Sequence, residues 1–519
     1  SENFGNLNFL NNFLQDIPKN DLLKYLLCSL VFIYLIKNLY VIYYNWIRMR
    51  FANFVQLRIS SQLLKIYFRA PYSKIFHKNS AELLRNIQVE TAKVRNIINH
   101  MIILLSEILI VIGIAILLFL INFNIVFYAF IYITLSFIIY YLLIRNKVKK
   151  LGFENQRITQ NFLRSILQKI SSLKLVRIFL NDRYFLKEFE EDMSAFQNNN
   201  LKLGIINLLP KMWMEVFGIA FLSMMLIFLI NQTKDMNYIL SLIGLIVVAA
   251  VRIIPSANRI MTSIQQLKYT TATFEKISDD LSISMMNFDH NLENIDFKKE
   301  ILIKDINFSF QETGRNIFKN LNFKINKGEI VCIKGISGSG KSTFANLISG
   351  LLKPESGFFL VDGKNINTDN LNWMSKIGYV TQETYLLDDS IKNNIAFGIS
   401  KDLIDIKKIH EVIEKVQLGE LIKSLPEKMD TVIGERGSKL SMGQIQRIGI
   451  ARALYTNSEI LILDEITSSL DEKNTNKIFD LVSSMKTSKT IIVITHEFLN
   501  KKIFDSIYEL KNHSLQKTE

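Results

Sequence analysis

The sequence predicts two unlike halves: a membrane-spanning α-helical half up to residue 261 and an α/β half with a parallel sheet from residue 298 onward. Three observations predict it. Five long apolar stretches crowd the region before residue 262, a glycine-rich loop opens the second half, and an acidic pair closes an apolar strand further on. The chain has 519 residues, 49% apolar, with a mean hydropathy of +0.18. That composition excludes a disordered chain, and apolar runs of this length exclude an ordinary soluble enzyme. The formal charge is +14, with 31 basic and 20 acidic groups in residues 1–297 against 31 and 28 in residues 298–519. A basic excess beside apolar runs fits the inner face of a membrane better than nucleic acid. Cys28 and Cys332 lie too far apart for a local metal motif and imply no disulfide framework. No signal peptide is apparent, and the start at Ser1 leads us to expect a processed or truncated chain.

In chain order, residues 1–21 read as an external segment and residues 22–261 as the membrane domain. A bilayer core needs about 20 apolar residues per helix. The stretches 22–47, 101–121, 124–144, 208–230 and 236–260 meet that need. Arg48, Arg50 and Arg58 follow the first span, and Arg145, Lys147, Lys149 and Lys150 follow the third, so those ends are cytoplasmic. The joins at 122–123 and 231–235 are then short and external. The cytoplasmic connections at 48–100 and 145–207 are long, and their apolar spacing (Leu163, Ile166, Leu167, Ile170) is helical. Five spans are awkward for a fold built from hairpins, so a first span before Ser1 is expected. Residues 262–297 read as a connector.

The α/β half opens with an apolar strand at 329–333. The loop Gly335-Ile336-Ser337-Gly338-Ser339-Gly340-Lys341-Ser342 follows, and a helix-like segment begins at Thr343. This is the phosphate-binding loop pattern. Its glycines let backbone N–H groups wrap phosphates, and the helix N-terminus favours their charge. Gly335, Ser337, Gly338, Gly340 and Thr343 therefore line an ATP site, with Lys341 on the β- and γ-phosphates and Ser342 on Mg²⁺. A second apolar strand at 459–463 ends in Asp464-Glu465. Carboxylates at a strand's carboxyl end sit where α/β sheets place reacting groups. Asp464 is expected at the metal and Glu465 against the attacking water.

The segment Leu440-Ser441-Met442-Gly443-Gln444 resembles the LSGGQ signature of ATP-binding cassette (ABC) ATPases. Gln382, the run Ser468-Ser469-Leu470-Asp471, and His496 after a strand at 490–495 are similar to the family's Q-, D- and H-loops, in the same order. The resemblance spans residues 298–519. It implies ATP and Mg²⁺ as cofactors and a head-to-tail dimer, here a homodimer. It also implies that Ser441, Gly443 and Gln444 touch the ATP held by the partner's phosphate loop. By the same resemblance Gln382 senses the γ-phosphate and joins Ser342 and Asp464 at the metal, and His496 contacts that phosphate, so the catalytic set is Glu465, His496 and Gln382. Phe310 falls where the family places an aromatic against adenine. Met442 departs from the signature by replacing its first glycine, and slower dimer closure is expected.

A membrane domain ahead of one cassette is the half-transporter arrangement of ABC exporters. Gly434-Glu435-Arg436-Gly437 is similar to the exporter loop that touches the intracellular helices. Exporters have six spans, and coupling segments are expected near 82–91 and 175–185. Lys37, Lys211, Arg252 and Arg259 lie within or at the edges of the spans, against the acids Glu107 and Glu215. Charge there is expensive and usually faces a cavity or a partner. Lys211 and Glu215 are spaced to pair on one helix face. A cationic cavity suits an anionic cargo.

Residues 251–260, Leu209-Pro210-Lys211 and Ser80-Ala81-Glu82-Leu83-Leu84 resemble the lipid-linked oligosaccharide flippases of bacterial N-glycosylation. Lysine stands at 37 and 211 where arginine is expected, which weakens a bidentate phosphate grip. The expectation is a bacterial inner-membrane flippase, working on membrane lipid, for a polyprenyl-pyrophosphate-linked oligosaccharide or similar anionic lipid. The rival is an exporter of a peptide or hydrophobic drug, which a cavity lined by aromatics and methionine favours. The spans argue against a soluble ATPase of DNA maintenance and so against nucleic acid as partner. Glu465 and His496 argue against a non-enzymatic ATP-gated channel.

Overall fold

Long apolar sequence with almost no glycine or proline to interrupt it gives long helices. A computed structural model describes residues 18–76, 78–121, 123–232, 236–285, 295–310, 314–366, 371–467, 470, 472–486, 488–496 and 503–518. Two compact units emerge, one holding the chain up to Phe68 together with Lys78–Ile283, the other holding Arg69–His77 and Ser284–Glu519.

The first unit is helical. Its long helices are α1 (Lys19–Arg69), α4 (Thr91–Ile121), α5 (Phe123–Ser171), α7 (Asp182–Gln232) and α8 (Met236–Tyr269). Between and after them come α3 (Ser80–Arg85), a π-helical turn (Asn86–Glu90), α6 (Leu173–Ile178) and α9 (Thr271–Leu281). The 51-residue α1 is about 75 Å long, more than twice a ~30 Å hydrocarbon core. The helices therefore continue well past the bilayer, as their sequence predicts. Among the described residues, four segments are long and apolar enough to cross a membrane: Leu27–Arg69, Ser80–Leu120, Phe127–Ser171 and Asp182–Ile227. The fifth expected span falls in α8, where many side chains near the start lie outside the described set. Residue 122, residues 233–235 and most of the external segment 1–21 also lie outside the described residues.

The second expected coupling segment is a true reversal. Helix α6 ends there, Leu180 takes a left-handed backbone (φ 53°), and α7 starts at Asp182. The first is displaced. Residues 82–91 run helically into α4, and the chain turns instead at residues 70–79 around α2 (Tyr72–Ile75), which belongs to the second unit. Pro71 explains the stop, since it disfavours helix at Ala70 and has no N–H to continue α1. Asn79 caps α3 by accepting from the Ala81 N–H at 2.9 Å and restarts the helix.

Within this unit α4 packs along α8, and α5 along α7. A Cβ on Gly152 of α5 would lie 2.1 Å from the Tyr269 carbonyl oxygen, so the two backbones meet there and only glycine fits. Several polar side chains inside are partnered. Trp213 Nε1 donates to Ser136 Oγ at 2.9 Å, Tyr140 Oη to Gln265 Oε1 at 2.8 Å, and Gln265 and Gln266 both donate to Asn207 Oδ1.

The second unit is α/β. A six-stranded sheet runs β10-β9-β3-β8-β7-β6, built from β3 (Ile330–Lys334), β6 (Ile377–Val380), β7 (Ile460–Asp464), β8 (Thr490–Thr495), β9 (Ser506–Lys511) and β10 (Ser514–Thr518). All its pairings are parallel except β9–β10. β7 and β8 are buried along their whole length and β3 over all but its last residue, which is why they read as near-continuous apolar runs. A four-stranded antiparallel sheet, order β2-β1-β4-β5, adds β1 (Glu300–Phe310), β2 (Arg315–Asn326), β4 (Ser356–Val361) and β5 (Lys364–Asn365). Parallel β3, β7 and β8 point their carboxyl ends the same way, and the loops that leave those ends build the site.

Candidate nucleotide site

β3 delivers the loop 335–340 to the N-terminus of α10 (Lys341–Ile348). Gly340 sits at φ +107°, and a Cβ there would come within 2.8 Å of Ile317 Cγ2, so glycine is required both for the turn and for the contact. Lys341 is 5% exposed. Its Nζ donates to the carbonyls of Gly335 at 3.0 Å and Ile336 at 3.2 Å, which stretches it across the loop.

β7 ends at Asp464, and Glu465 follows at φ 48°, a left-handed conformation that glutamate rarely takes. Backbone held against its preference is a mark of functional sites. That turn aims the Glu465 carboxylate at Lys341 Nζ (3.2 Å), while Gln382 Nε2 donates to it at 3.0 Å and His496 Nδ1 lies 3.5 Å away. Two of the sequence-predicted catalytic residues and the loop lysine therefore meet on the carboxylate of the third. Asp464 is buried, which pushes its carboxyl up, and hydrogen bonds from Ser342 and Tyr379 oppose that shift. Tyr379 Oη donates to Oδ2 at 3.3 Å, while buried Oδ1 has no hydrogen-bond partner. An orphaned carboxylate oxygen beside a serine hydroxyl suits a hard cation.

Ser441 is the N-cap of α11 (Met442–Tyr455). Its backbone N–H donates to Gln444 Oε1 at 2.9 Å and its Oγ accepts from the Gln444 N–H, a capping box that the spacing alone predicts. Gln444 thus has a structural task beside its expected contact with ATP. Gly443 follows in the first turn, and Met442 is 46% exposed. Phe310 ends β1 half-buried, edge-on to Phe308 at 5.1 Å. Ser468, Ser469 and Asp471 lie outside the described residues. Sequence reasoning passed over Gln446. It is 1% exposed on α11, accepts from Thr384 Oγ1 at 3.0 Å and donates to the Gln382 carbonyl at 2.8 Å, so the signature helix holds the glutamine loop. A polar residue on an apolar face, between Ile445 and Ile448, was the available signal.

Residues 318–468 match the family model for ABC transporters. The solved structure of a bacterial Atm1-family ABC exporter with ATP bound superposes with a TM-score of 0.78, at 19% identity, over 90% of this chain and 82% of that one. The chain has the fold of an ABC exporter and carries an ABC transporter domain. It is a half-transporter, a membrane domain fused to one ATPase domain. An ATP-dependent lipid A-core flippase of Cupriavidus metallidurans is 25% identical over 93% of the exporter and 82% of its own length. The flippase of the same name from Idiomarina loihiensis is 39% identical over 41% of the exporter and only 37% of its own length. A multidrug resistance ABC transporter ATP-binding and permease protein of Lactococcus lactis is 26% identical over 69% and 61%.

In the exporter's membrane unit the expected cations separate. Arg259 forks onto Glu107, Nε to Oε1 at 2.5 Å and Nη2 to Oε2 at 3.2 Å. Lys211 lies 3.9 Å from Glu215 on one exposed helix face. Lys37 is exposed, 5.0 Å from the Tyr34 ring centroid, and Arg252 is exposed on α8. None of the four lines the cavity of about 450 Å³ enclosed by α4, α5, α7 and α8. Its walls are aliphatic and aromatic, with Phe130, Phe217 and Phe221 among them and Tyr132, Thr134 and Ser136 as polar exceptions.

Proposed function

We propose that the exporter hydrolyses ATP as a homodimer in the bacterial inner membrane, and so moves an anionic lipid-anchored glycan from one leaflet to the other. A polyprenyl-pyrophosphate-linked oligosaccharide, or a similar anionic lipid, fits the reading. The observation that carries it is the division of the membrane unit into an uncharged chamber and exposed span cations. A hydrocarbon tail suits the chamber, at about 25 cal/mol per Å² of apolar surface removed from water. An anionic headgroup suits Lys37 and Arg252, because Glu107 and Glu215 pair with Arg259 and Lys211 instead. The flippase names carried by relatives that match most of the chain support the same class.

At the nucleotide site Lys341 is neutralised by Glu465. Phosphates in the loop compete for Lys341 and release Glu465 to accept the proton of the attacking water, which Gln382 and His496 orient. Ser342, Gln382 and Asp464 fit Mg²⁺, which when bound offsets phosphate charge. One chain carries one phosphate loop and one signature helix, so two chains complete two sites. Mixing Ser441→Arg chains with Lys341→Ala chains should restore one working site per heterodimer, read as phosphate release. A mixture as inactive as either parent counts against the homodimer.

The cargo test uses proteoliposomes. Lys37→Gln with Arg252→Gln should leave basal ATP hydrolysis intact and abolish its stimulation by a polyprenyl-pyrophosphate glycan. Equal stimulation of parent and variant overturns the anionic-headgroup reading. The aromatic chamber favours a second reading, export of a hydrophobic drug. It gains if an uncharged drug stimulates hydrolysis and the anionic lipid does not.

A further inference from the structure

The chain passes between the two units three times, after Phe68, after His77 and after Ile283. One carboxylate lies close to all three passages. Asp280 of α9 is 2% exposed, and every group bonded to it belongs to the membrane unit. Its Oδ2 accepts from Tyr67 Oη at 2.5 Å, one residue short of the first passage, and from Asn86 Nδ2 at 2.7 Å. Its Oδ1 accepts from Lys78 Nζ at 2.8 Å, on the first residue after the second passage. Asp280 itself stands just ahead of the third. Burial works to raise its pKa, and the bonds from Lys78 and Tyr67 outweigh that and hold it below the usual carboxylate range.

The surrounding sequence is built to make this meeting place. Asn86 and Glu90 bound the π turn four residues apart, and both face inward, each 0% exposed. Glu90 accepts from Thr273 Oγ1 at 2.6 Å and pairs with Arg85 and Lys93, and Glu82 pairs with Lys276 at 2.7 Å. Helix α9 is thereby fastened at Thr273, Lys276 and Asp280 to the segment that follows the first reversal. Buried charge of this density is costly unless every group is satisfied, and a half-satisfied network is worse than none.

We propose that Asp280 is a positioning residue for energy coupling. It binds the three connections into one piece, so that a displacement arriving along any one of them moves the other two. The idea is independent of what is carried and of how many chains assemble. It distinguishes Asp280 from a residue that merely stabilises α9, because loss of the tie should separate responses that are otherwise shared.

The test is hydrogen–deuterium exchange of the full chain in nanodiscs, with and without a non-hydrolysable ATP analogue, beside basal phosphate release. In the parent, the analogue should change exchange together in the end of α1, in residues 78–90 and in α9. In Asp280→Ala, phosphate release should persist, while the shared response in at least one segment falls by roughly 2- to 30-fold, the range expected for residues that carry coupling. Tyr67→Phe removes a single bond and keeps the ring, so it should fold and give a smaller loss in the same segments. Asp280→Asn combined with Lys78→Gln can rebuild an uncharged link and should recover part of the response. If Asp280→Ala fails to fold, Tyr67→Phe decides alone. Parent-like shared responses in Tyr67→Phe, or in Asp280→Ala where it folds, overturn the proposal.

Discussion

The two units solve opposite burial problems. In the ATPase unit β3, β7 and β8 bury almost every side chain, and the charges that matter collect at the strand ends, where Lys341, Asp464 and Glu465 meet. In the membrane unit large apolar side chains such as Phe32, Leu109 and Leu142 are exposed, while polar groups such as Glu107, Asn86 and Glu90 are inside and paired. The difference teaches what each sequence pattern can reveal. Chemistry at a strand end is local, written in a few consecutive residues with fixed spacing. Pairing inside a helical bundle joins residues more than a hundred positions apart, as Glu107 and Arg259 are, and leaves no short motif.

The largest expected effect breaks the comparison on the ATPase side. Glu465→Gln keeps the shape and the bond from Gln382 but removes the proton acceptor. Nucleotide should still bind, while turnover falls by about 10²–10⁴-fold. Phosphate release and equilibrium nucleotide binding measured together check this, and a variant that keeps most of its turnover removes Glu465 from the role.

On the membrane side a smaller effect is expected. Arg259→Gln strands Glu107, which is 7% exposed, and should destabilise the detergent-solubilised protein by about 1–2 kcal/mol, the scale of interhelical polar bonds in membranes. Adding Glu107→Gln should recover most of the loss. A double variant no better than the single one would show that the fork is not what joins α4 to α8. The smallest effect sits at the signature. Met442→Gly should raise turnover by a few-fold, less than the tenfold that about 1.4 kcal/mol of barrier represents. An unchanged or lower turnover would mean that Met442 does not hinder closure.

The same contrast explains what could be read in advance. The phosphate loop and Asp464-Glu465 were legible because each is a short pattern at the end of an element, whereas Gln382, His496 and the signature at Ser441 were legible through the family resemblance. The pairing of Lys341 with Glu465 was not, since it depends on the left-handed backbone at Glu465. Gln446 was hidden by a helix whose other inward residues are apolar. The helical spans were legible from composition, but the first reversal lies at Pro71, ahead of the segment expected near 82–91, because Asn79 restarts the helix and it runs on through Glu90. Pairing of Lys211 with Glu215 followed from four-residue spacing, whereas the partner of Arg259 lies on another helix and only the structure supplies it.

The discontinuous ATPase unit bears on synthesis. Arg69–His77 leaves the ribosome first, and about two hundred residues of membrane helix must follow before Ser284 appears, a delay of about 10–40 s at roughly 5–20 residues per second. During that interval the nine-residue piece has no partner to fold against. Its own helix, Tyr72–Ile75, is too short to persist alone in water. The docking of this piece within the second unit is therefore tied to completion of the membrane helices.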